Sequence, residues 1–273
     1  MTFSLVACDL DAGQWGVAVA SKFPSVGAAV AWARGGVGAV ATQAGMNVQF
    51  GPEGLELLAA GHSAEETVAR LIAADDRAHE RQLGIVDTRG DGATYTGTEC
   101  LDWAGGHAGP GFAAQGNVLA APQVVDTLAE TFLTTDGSLA RRMLAALLAA
   151  DRAGGDRRGR QGAALIVREA GGGYGGNNDI LIDLRVDDHR DPVPELGRLL
   201  GIHEVLFGKT PPEEFLPIEG ELASEVEGLL RSRGYETLEE WASMENLEER
   251  LWPDESRIDP VVLSQLRTVP GND

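Results

Sequence analysis

The chain has 273 residues, of which 43% are hydrophobic, and this is enough to bury a substantial core and to exclude a disordered chain. Asp and Glu number 42 against 22 Lys and Arg, giving a formal net charge of -20. This charge argues against nucleic acid and anionic membranes as partners, because both would repel the chain. No apolar run approaches the roughly 18 residues of a membrane span. The first residues lack a signal-peptide pattern, so we expect a cytoplasmic protein.

The chain begins with residues that predict short strands. Residues 2–8 and 15–20 flank a turn and indicate a hairpin. A second pair of strands is predicted at residues 26–32 and 37–43. All four runs are apolar and rich in Gly and Ala, which is typical of a sheet that is covered on both faces.

Helices and further strands follow in blocks. Ser63 and Glu66 form a capping box, which predicts a helix over residues 64–74. Because the helices are grouped between blocks of antiparallel strands, we predict an α+β fold with two sheets between helices, and not a nucleotide-binding parallel sheet. The other predicted elements are strands at 83–87, 93–97, 111–119, 163–169 and 179–186, and helices at 54–60, 122–131, 138–152 and 192–207.

The acidity of the chain is uneven. Residues 209–273 contain 16 acidic and 6 basic residues. Glycine and proline, which interrupt helices and strands, are concentrated in residues 208–212, where this acidic segment begins. We therefore predict two domains, residues 1–208 and residues 209–273. The second domain is expected to be small and helical. Its predicted helices cover residues 222–233, 238–244 and 261–266.

Thr2 is the first candidate for chemistry. Removal of Met1 is expected when the next residue is as small as threonine, and it would leave Thr2 with a free α-amine. That amine titrates near pH 8, so it can act as general base for the hydroxyl of the same residue. Many proteins begin with this dipeptide and make no chemical use of it. The buried strand predicted directly after Thr2 favours the catalytic interpretation, since a free terminus usually frays.

Several long motifs of the first 200 residues occur together in one known family. With these motifs the chain resembles the bacterial family catalogued as domain of unknown function 1028, which is grouped with the N-terminal nucleophile hydrolases. The resemblance implies a four-layer αββα fold and hydrolysis of an amide bond, and it supplies no substrate. The motifs are residues 2–7, 16–21, 36–43, 115–117, 155–161 and 183–189.

The acidic tail resembles a second known domain. Residues 222–235, Trp241 and residues 245–246 and 258–259 resemble a domain named for peptidoglycan binding that is sometimes appended to this family. The resemblance implies peptidoglycan as a partner by analogy. A cytoplasmic chain would have little access to that polymer.

Two strand ends carry amide side chains. Gln115 and Asn117 end a predicted strand, and Asn117 is expected to hold a developing oxyanion. Gln43 ends another strand and is expected, like Gln115, to orient a substrate amide. The alternative for Asn117 is that its amide only satisfies the end of the strand.

The densest polar cluster lies in residues 154–161. Asp156 is a candidate catalytic residue, and Arg158 and Gln161 are candidate substrate-binding residues. An arginine fork can clamp a carboxylate or ureido group. The alternative is a solvated loop whose arginines pair with local acids.

The acidic run 178–191 offers a further candidate. Asp183 is expected to bind substrate, and a divalent-ion site formed by the run is an alternative. A simpler explanation is that Arg185 pairs with Asp183. We expect no metal or other cofactor.

The sequence therefore predicts an amidohydrolase that acts on a small amide or ureide, with Thr2 as nucleophile and a homodimer as the possible assembly. Cys100 is the second candidate nucleophile. The competing hypothesis is a binding protein that has the pocket without the activity and whose tail contacts glycan or protein.

Overall fold

The computed structural model describes residues 2–268 and divides them into two compact units, which meet in sequence between Arg198 and Leu199. The strands of the first unit are β1 (Thr2–Asp9), β2 (Gln14–Ser21), β3 (Ala31–Arg34), β4 (Gly38–Ala44), β5 (Arg81–Val86), β6 (Gly92–Thr96), β7 (Gly105–Gly109), β8 (Phe112–Asn117), β9 (Gly162–Glu169) and β10 (Ile180–Val186). Its helices are α1 (Val26–Val30), α2 (Phe50–Ala59), α3 (Ala64–Ala73), α4 (Gln123–Thr134), α5 (Leu139–Arg152) and the first part of α6 (Pro192–Phe207).

The strands of the first unit form two antiparallel sheets. The larger has the order β10-β9-β2-β1-β8-β7, and the smaller has the order β3-β4-β5-β6. The sheets pack face to face through small and branched side chains, among them Val6, Val17, Ala41 and Val86. Helices α4 and α5 cover the larger sheet, and α2 and α3 pack on the smaller one. The predicted α+β fold of antiparallel sheets and helices is confirmed.

Two local predictions in this unit were wrong. Residues 26–32 are not one strand: α1 occupies their first part, and β3 starts only at Ala31. Ser25 precedes α1 with a positive φ of 52°, which turns the chain, and Gly27 packs so closely on Ala164 that a Cβ there would lie 2.3 Å from that side chain. A short apolar run of this kind does not distinguish helix from strand by periodicity.

The other error is the omission of β7. Its sequence, GGHAG, has no apolar alternation, so it forms a strand through pairing with β8 and not through its own propensity. Helix α2 also begins earlier than predicted, at Phe50, with Pro52 in its first turn. The capping box of α3 is confirmed, with Ser63 and Glu66 bonding each other's backbone N–H at 3.1 Å.

The second unit is mainly helical. The rest of α6 leads into β11 (Leu216–Pro217), α7 (Gly220–Arg233), α8 (Leu238–Met244), β12 (Arg257–Ile258) and α9 (Pro260–Arg267). Trp241 is almost fully buried in its apolar core. Gly234 ends α7 at a φ of 86°, as its sequence predicts. The boundary predicted after residue 208 lies just beyond α6, whereas the compact units divide within that helix. In residues 2–268, every helix is too short or too polar to span a membrane.

Candidate functional site

The candidate site is centred on the first residue of β1. Thr2 lies directly opposite Asn117 of β8, and on its other side β1 pairs with β2. The hydroxyl of Thr2 donates a hydrogen bond to the Ser21 hydroxyl at the end of β2, over 3.2 Å. Thr2 is only 6% exposed, so its side chain is held inside the protein. The fold therefore holds Thr2 in place at the start of β1.

The side chain of Thr2 belongs to a polar stripe between the two sheets. Because side chains alternate along a strand, Ser4 points to the same side, and its hydroxyl donates to Gln43 Oε1 at 2.7 Å. Gln43 Nε2 in turn donates to the carbonyl oxygen of Thr2 at 3.3 Å. Gln115 Nε2 donates to the Ser4 hydroxyl at 2.7 Å. These amides fix the start of β1 from within the core.

Gln82 of β5 connects this stripe to Asn117. Its Oε1 accepts hydrogen bonds from Gln43 Nε2 at 2.8 Å and from Asn117 Nδ2 at 2.9 Å. Its Nε2 donates to the carbonyl oxygen of Gly116 at 2.7 Å. Gln82 is fully buried, and sequence reasoning missed it. Gln82 lies directly before the strand predicted at residues 83–87, and the available signal was its place next to that buried run.

Gln43 and Gln115 have a positioning role in this arrangement. Both are buried between the sheets, and neither is among the residues that line the neighbouring cavity. Their predicted contact with substrate stays a prediction. Gln115 also requires a glycine opposite it, because a Cβ at Gly84 would lie 2.0 Å from Gln115 Oε1.

A cavity of about 370 Å³ opens beside Asn117. This volume lies in the range of small-molecule sites. Two of its lining residues, Ala44 and Val118, have positive φ angles of 68° and 50°. Such a conformation is strained for a residue with a side chain, above all for β-branched Val118, and strain of this kind concentrates at functional sites. The described lining residues are Ala44, Gly45, Glu80, Glu99, Cys100, Leu101, Asn117 and Val118.

One rim of the cavity carries a group that could hold a metal. One ligand atom each from His79, Glu80 and Glu99 lies within 4.8 Å of the other two. Glu80 is already paired with Arg77, whose hydrogen bond lowers the pKa of the Glu80 carboxyl. This ion pair disfavours a metal at the three residues, because Arg77 competes with the metal for the carboxylate oxygens of Glu80.

An ion pair supports the cavity at Gly45. Arg81 Nε donates to Asp75 Oδ2 at 2.7 Å, and Arg81 also donates to the carbonyl oxygen of Gly45. Both charged side chains are nearly buried. The hydrogen bonds from Arg81 lower the pKa of Asp75 from 3.8 to about 2. This pair holds the backbone of the lining in place.

Cys100 lines the cavity but lacks the environment of a thiolate. Burial raises the pKa of the Cys100 thiol, and its Sγ lies 3.3 Å from the carbonyl oxygen of Arg81. A reactive cysteine needs the opposite shift. The geometry therefore disfavours Cys100 as the nucleophile.

The Asp156 loop ties together the two strand ends that flank Thr2. Asp156 forms a bridge with Leu119, just after β8, and its Oδ2 accepts a hydrogen bond from the backbone N–H of Lys22 at 2.7 Å, just after β2. Arg158 donates from its own backbone and side chain to the same carboxylate. Neither residue is among the cavity's described lining. These contacts indicate positioning, and a direct catalytic role for Asp156 or substrate contact by Arg158 stays a prediction.

The last two candidates are placed differently from each other. The backbone N–H of Gln161 donates to the carbonyl oxygen of Ser21 at 3.1 Å, while its side chain reaches Asp188. Asp183 lies on β10, three strands away from β1 in the sheet, and binds Arg168 and Arg185 at 2.7 Å each. Burial raises the pKa of Asp183, but the two arginines outweigh that effect and leave its pKa below the usual value. The structure thus does not bring Asp183 to Thr2.

These features define an α+β protein in which the buried start of one strand pairs with the end of a neighbouring strand, and that end lines a small cavity. Its sequence matches the model of the family of unknown function DUF1028 over residues 2–196, so the chain belongs to that family. A second model, described as "Putative peptidoglycan binding domain", matches residues 206–266. Both resemblances that the motifs indicated are confirmed at the level of family.

A solved structure supports the same assignment. The chain is similar to the crystal structure of protein SPO2555 from Silicibacter pomeroyi, a DUF1028 protein, with 28% identity and a TM-score of 0.68. The similarity covers 82% of this chain and 92% of that one. No match was found among the curated proteins.

Proposed function

We propose that this protein is an N-terminal nucleophile hydrolase that cleaves the amide or ureide bond of a small molecule, with Thr2 as nucleophile. The main support is the place of Thr2, whose buried hydroxyl lies at the start of a central strand directly opposite Asn117, a residue that lines the cavity. Directly opposed residues of an antiparallel pair lie about 5 Å apart at their Cα atoms. The order of helices, two facing sheets and helices is the order that this class of hydrolase requires, and it supports the proposal as well.

The proposed reaction uses the mature N-terminus. The α-amine of Thr2 takes the hydroxyl proton as Oγ1 attacks the carbonyl carbon, and then gives that proton to the leaving amine. An ester on Oγ1 remains. The same amine then activates a water molecule, which cleaves the ester and releases the acid.

Asn117 would stabilise the tetrahedral oxyanion. One N–H of its Nδ2 donates to Gln82 Oε1, which leaves the second N–H for the substrate oxygen. Because Gln82 is fixed by the backbone of β8, the Asn117 amide is held in one orientation before substrate binds. A donor that is already oriented stabilises developing charge most effectively.

The test combines mass spectrometry with substitutions at Thr2. We expect the intact mass to lack Met1, and we expect Thr2→Ser to retain ammonia release from a panel of small amides and ureides while Thr2→Ala loses it. Thr134→Ala, on the exposed end of α4, is the matched control and should act as the unsubstituted protein. A retained Met1, or equal activity of the Ser and Ala variants, would contradict the proposal and favour a non-catalytic binding protein.

A further inference from the structure

The cavity beside Asn117 has an acidic rim. Among its described lining residues, the charged side chains are Glu80 and Glu99, whose side chains are 28% and 65% exposed. The remaining lining residues are uncharged: small residues, Leu101, the thiol of Cys100 and the amide of Asn117. A ligand in this cavity therefore meets two carboxylates and a weakly polar wall.

The arginines near the rim already form hydrogen bonds or ion pairs with other groups of the protein. Arg81 is held by Asp75 and the carbonyl oxygen of Gly45. Arg77 pairs with Glu80 and offsets part of its charge. In the described part of the chain, the ion-pair neighbour of Glu99 is His79, whose Nε2 lies 3.8 Å from Glu99 Oε2. Glu99 is thus the carboxylate that is available to a ligand.

Arg158, which the sequence analysis proposed as a binding residue for an anionic substrate group, does not offset the negative charge of the rim. The guanidinium of Arg158 is bound by Asp156 at 3.1 Å, and it is not among the cavity's described lining. A carboxylate on the substrate would therefore meet like charge at Glu80 and Glu99, and a cation would meet opposite charge. The net charge of -20 on the whole chain acts in the same direction on approach.

We infer that the substrate is a small amide that carries a protonated amine or guanidinium, and that Glu99, assisted by Glu80, binds this cation while the amide carbonyl lies at Asn117. The inference rests on the proposed function, because it assigns the substrate class of the same site. It assigns Glu99 to specificity and leaves the chemistry to Thr2.

Three amides of matched length test this assignment: 4-aminobutanamide, which is cationic, pentanamide, which is neutral, and succinamate, which is anionic. Their affinities are measured by calorimetry on Thr2→Ala, so that binding is recorded without turnover, and their hydrolysis is measured on the unsubstituted protein. We expect the cationic amide to bind about tenfold more tightly than the neutral one, the factor given by one hydrogen bond between charged groups at a partly exposed site. The anionic amide should bind more weakly than both.

The matched variants are Glu99→Gln and Glu65→Gln. Each removes one negative charge, but Glu65 lies on the exposed face of α3 and is not among the cavity's lining residues. We expect Glu99→Gln to abolish the preference for the cation, and Glu65→Gln to keep it. High salt should reduce the preference, since the rim is exposed.

The possible failures are distinguishable. A cation preference in binding without hydrolysis of any amide supports the substrate class and contradicts the proposed function. Hydrolysis that is equal for all three amides, or binding that Glu99→Gln leaves unchanged, overturns the inference and leaves the nucleophile intact. Absence of measurable binding by all three amides also overturns it. Activity that needs added Zn²⁺ or Mn²⁺ and is lost with a chelator would assign His79, Glu80 and Glu99 to a metal ion instead.

Discussion

Thr2 and Asn117 face each other across the β1–β8 pair, with a hydroxyl on one strand and an amide on the other, and Asn117 lines the cavity. Directly opposed residues point to the same side of a sheet, so both side chains face the smaller sheet. A carbonyl group bound at Thr2 Oγ1 would therefore also come within reach of the Asn117 amide. In the proposed reaction, the pair would supply a nucleophile and an oxyanion donor without any contribution from a loop.

The first prediction concerns Asn117. We expect Asn117→Ala to lower kcat about 10²- to 10³-fold with a smaller change in KM, because the donor acts mainly on the transition state. The measurement is steady-state ammonia release with the best amide of the panel. Asn177→Ala, in the exposed turn before β10, is the control and should be unchanged. A loss that appears only in KM would assign Asn117 to ground-state binding.

Sequence patterns indicated Thr2 and Asn117 as candidates, and missed the residue that connects them in the structure. Thr2 and Asn117 could be found because each has a local signal, a small residue after Met1 and an amide at the end of an apolar strand. Gln82 could not, since its function depends on β5 stacking across β8, and no local pattern encodes the stacking of two sheets. For the same reason, no sequence pattern indicated the cavity's carboxylates, Glu80 and Glu99.

The same limit explains the strand errors in the fold. Strands with an apolar run in their sequence, such as β1 and β5, were predicted within a few residues. β7 has no such pattern and exists because β8 offers it a hydrogen-bonding edge. Whether such a strand forms depends on a pairing partner elsewhere in the chain. A helix cap such as Ser63 depends only on residues within four positions of it.

A second prediction concerns Gly84, which makes room for Gln115. A Cβ at this position would lie 2.0 Å from Gln115 Oε1, inside a closely packed region between the sheets. We expect Gly84→Ala to destabilise the protein by about 1–3 kcal/mol, as overpacking does. The measurement is urea-induced unfolding followed by circular dichroism.

The matched control for Gly84 is Gly228→Ala in helix α7. Within residues 2–268, no atom beyond the adjoining residues and the backbone of the helix itself lies within 4 Å of a Cβ built there. A glycine inside a helix is less favourable than alanine by roughly 1 kcal/mol, so this substitution should stabilise α7. Equal stability of Gly84→Ala and the unsubstituted protein would show that the Gln115 amide can move, and would contradict the rigid stripe described above.

The third prediction is the pH dependence of the Asp75–Arg81 pair. The pKa of Asp75 is lowered from 3.8 to about 2 by hydrogen bonds from Arg81. A depressed pKa means that this carboxylate contributes stability above about pH 4, and that the contribution is lost as the pH falls from about 4 to 2. Asp75→Asn should therefore cost about 1–3 kcal/mol at pH 7, where Arg81 is left without its anion.

Urea unfolding of both proteins between pH 7 and pH 2 gives the test. The difference in free energy of unfolding should stay constant down to about pH 5 and then shrink. Asp76→Asn, at the exposed neighbouring position, is the control and should show a difference close to zero throughout. A difference for Asp75→Asn that does not change with pH would mean that the pair adds nothing through charge.

The last prediction concerns a buried ion pair in the second unit. Arg250 Nη1 lies 2.6 Å from Asp259 Oδ2, and both side chains are nearly inaccessible. The same oxygen accepts a hydrogen bond from the Thr210 hydroxyl at 2.7 Å, and Asp259 Oδ1 caps α9 through the N–H of Val261. Arg250 also donates to the carbonyl oxygen of Val205 at 2.5 Å. One carboxylate thus joins α9 to two distant segments of this unit.

Removing the charge of Asp259 should therefore destabilise the second unit far more than removing the charge of an exposed carboxylate. We expect Asp259→Asn to destabilise the second unit by about 3–5 kcal/mol, because the buried guanidinium of Arg250 is left without its partner. Glu225→Gln breaks the exposed pair with Arg267, whose contacts are 2.7 and 2.9 Å, and should cost far less because solvent screens that pair. Hydrogen exchange in α7 and α9 of the full chain measures both. Similar exchange rates in the two variants would show that burial does not strengthen the Arg250–Asp259 pair.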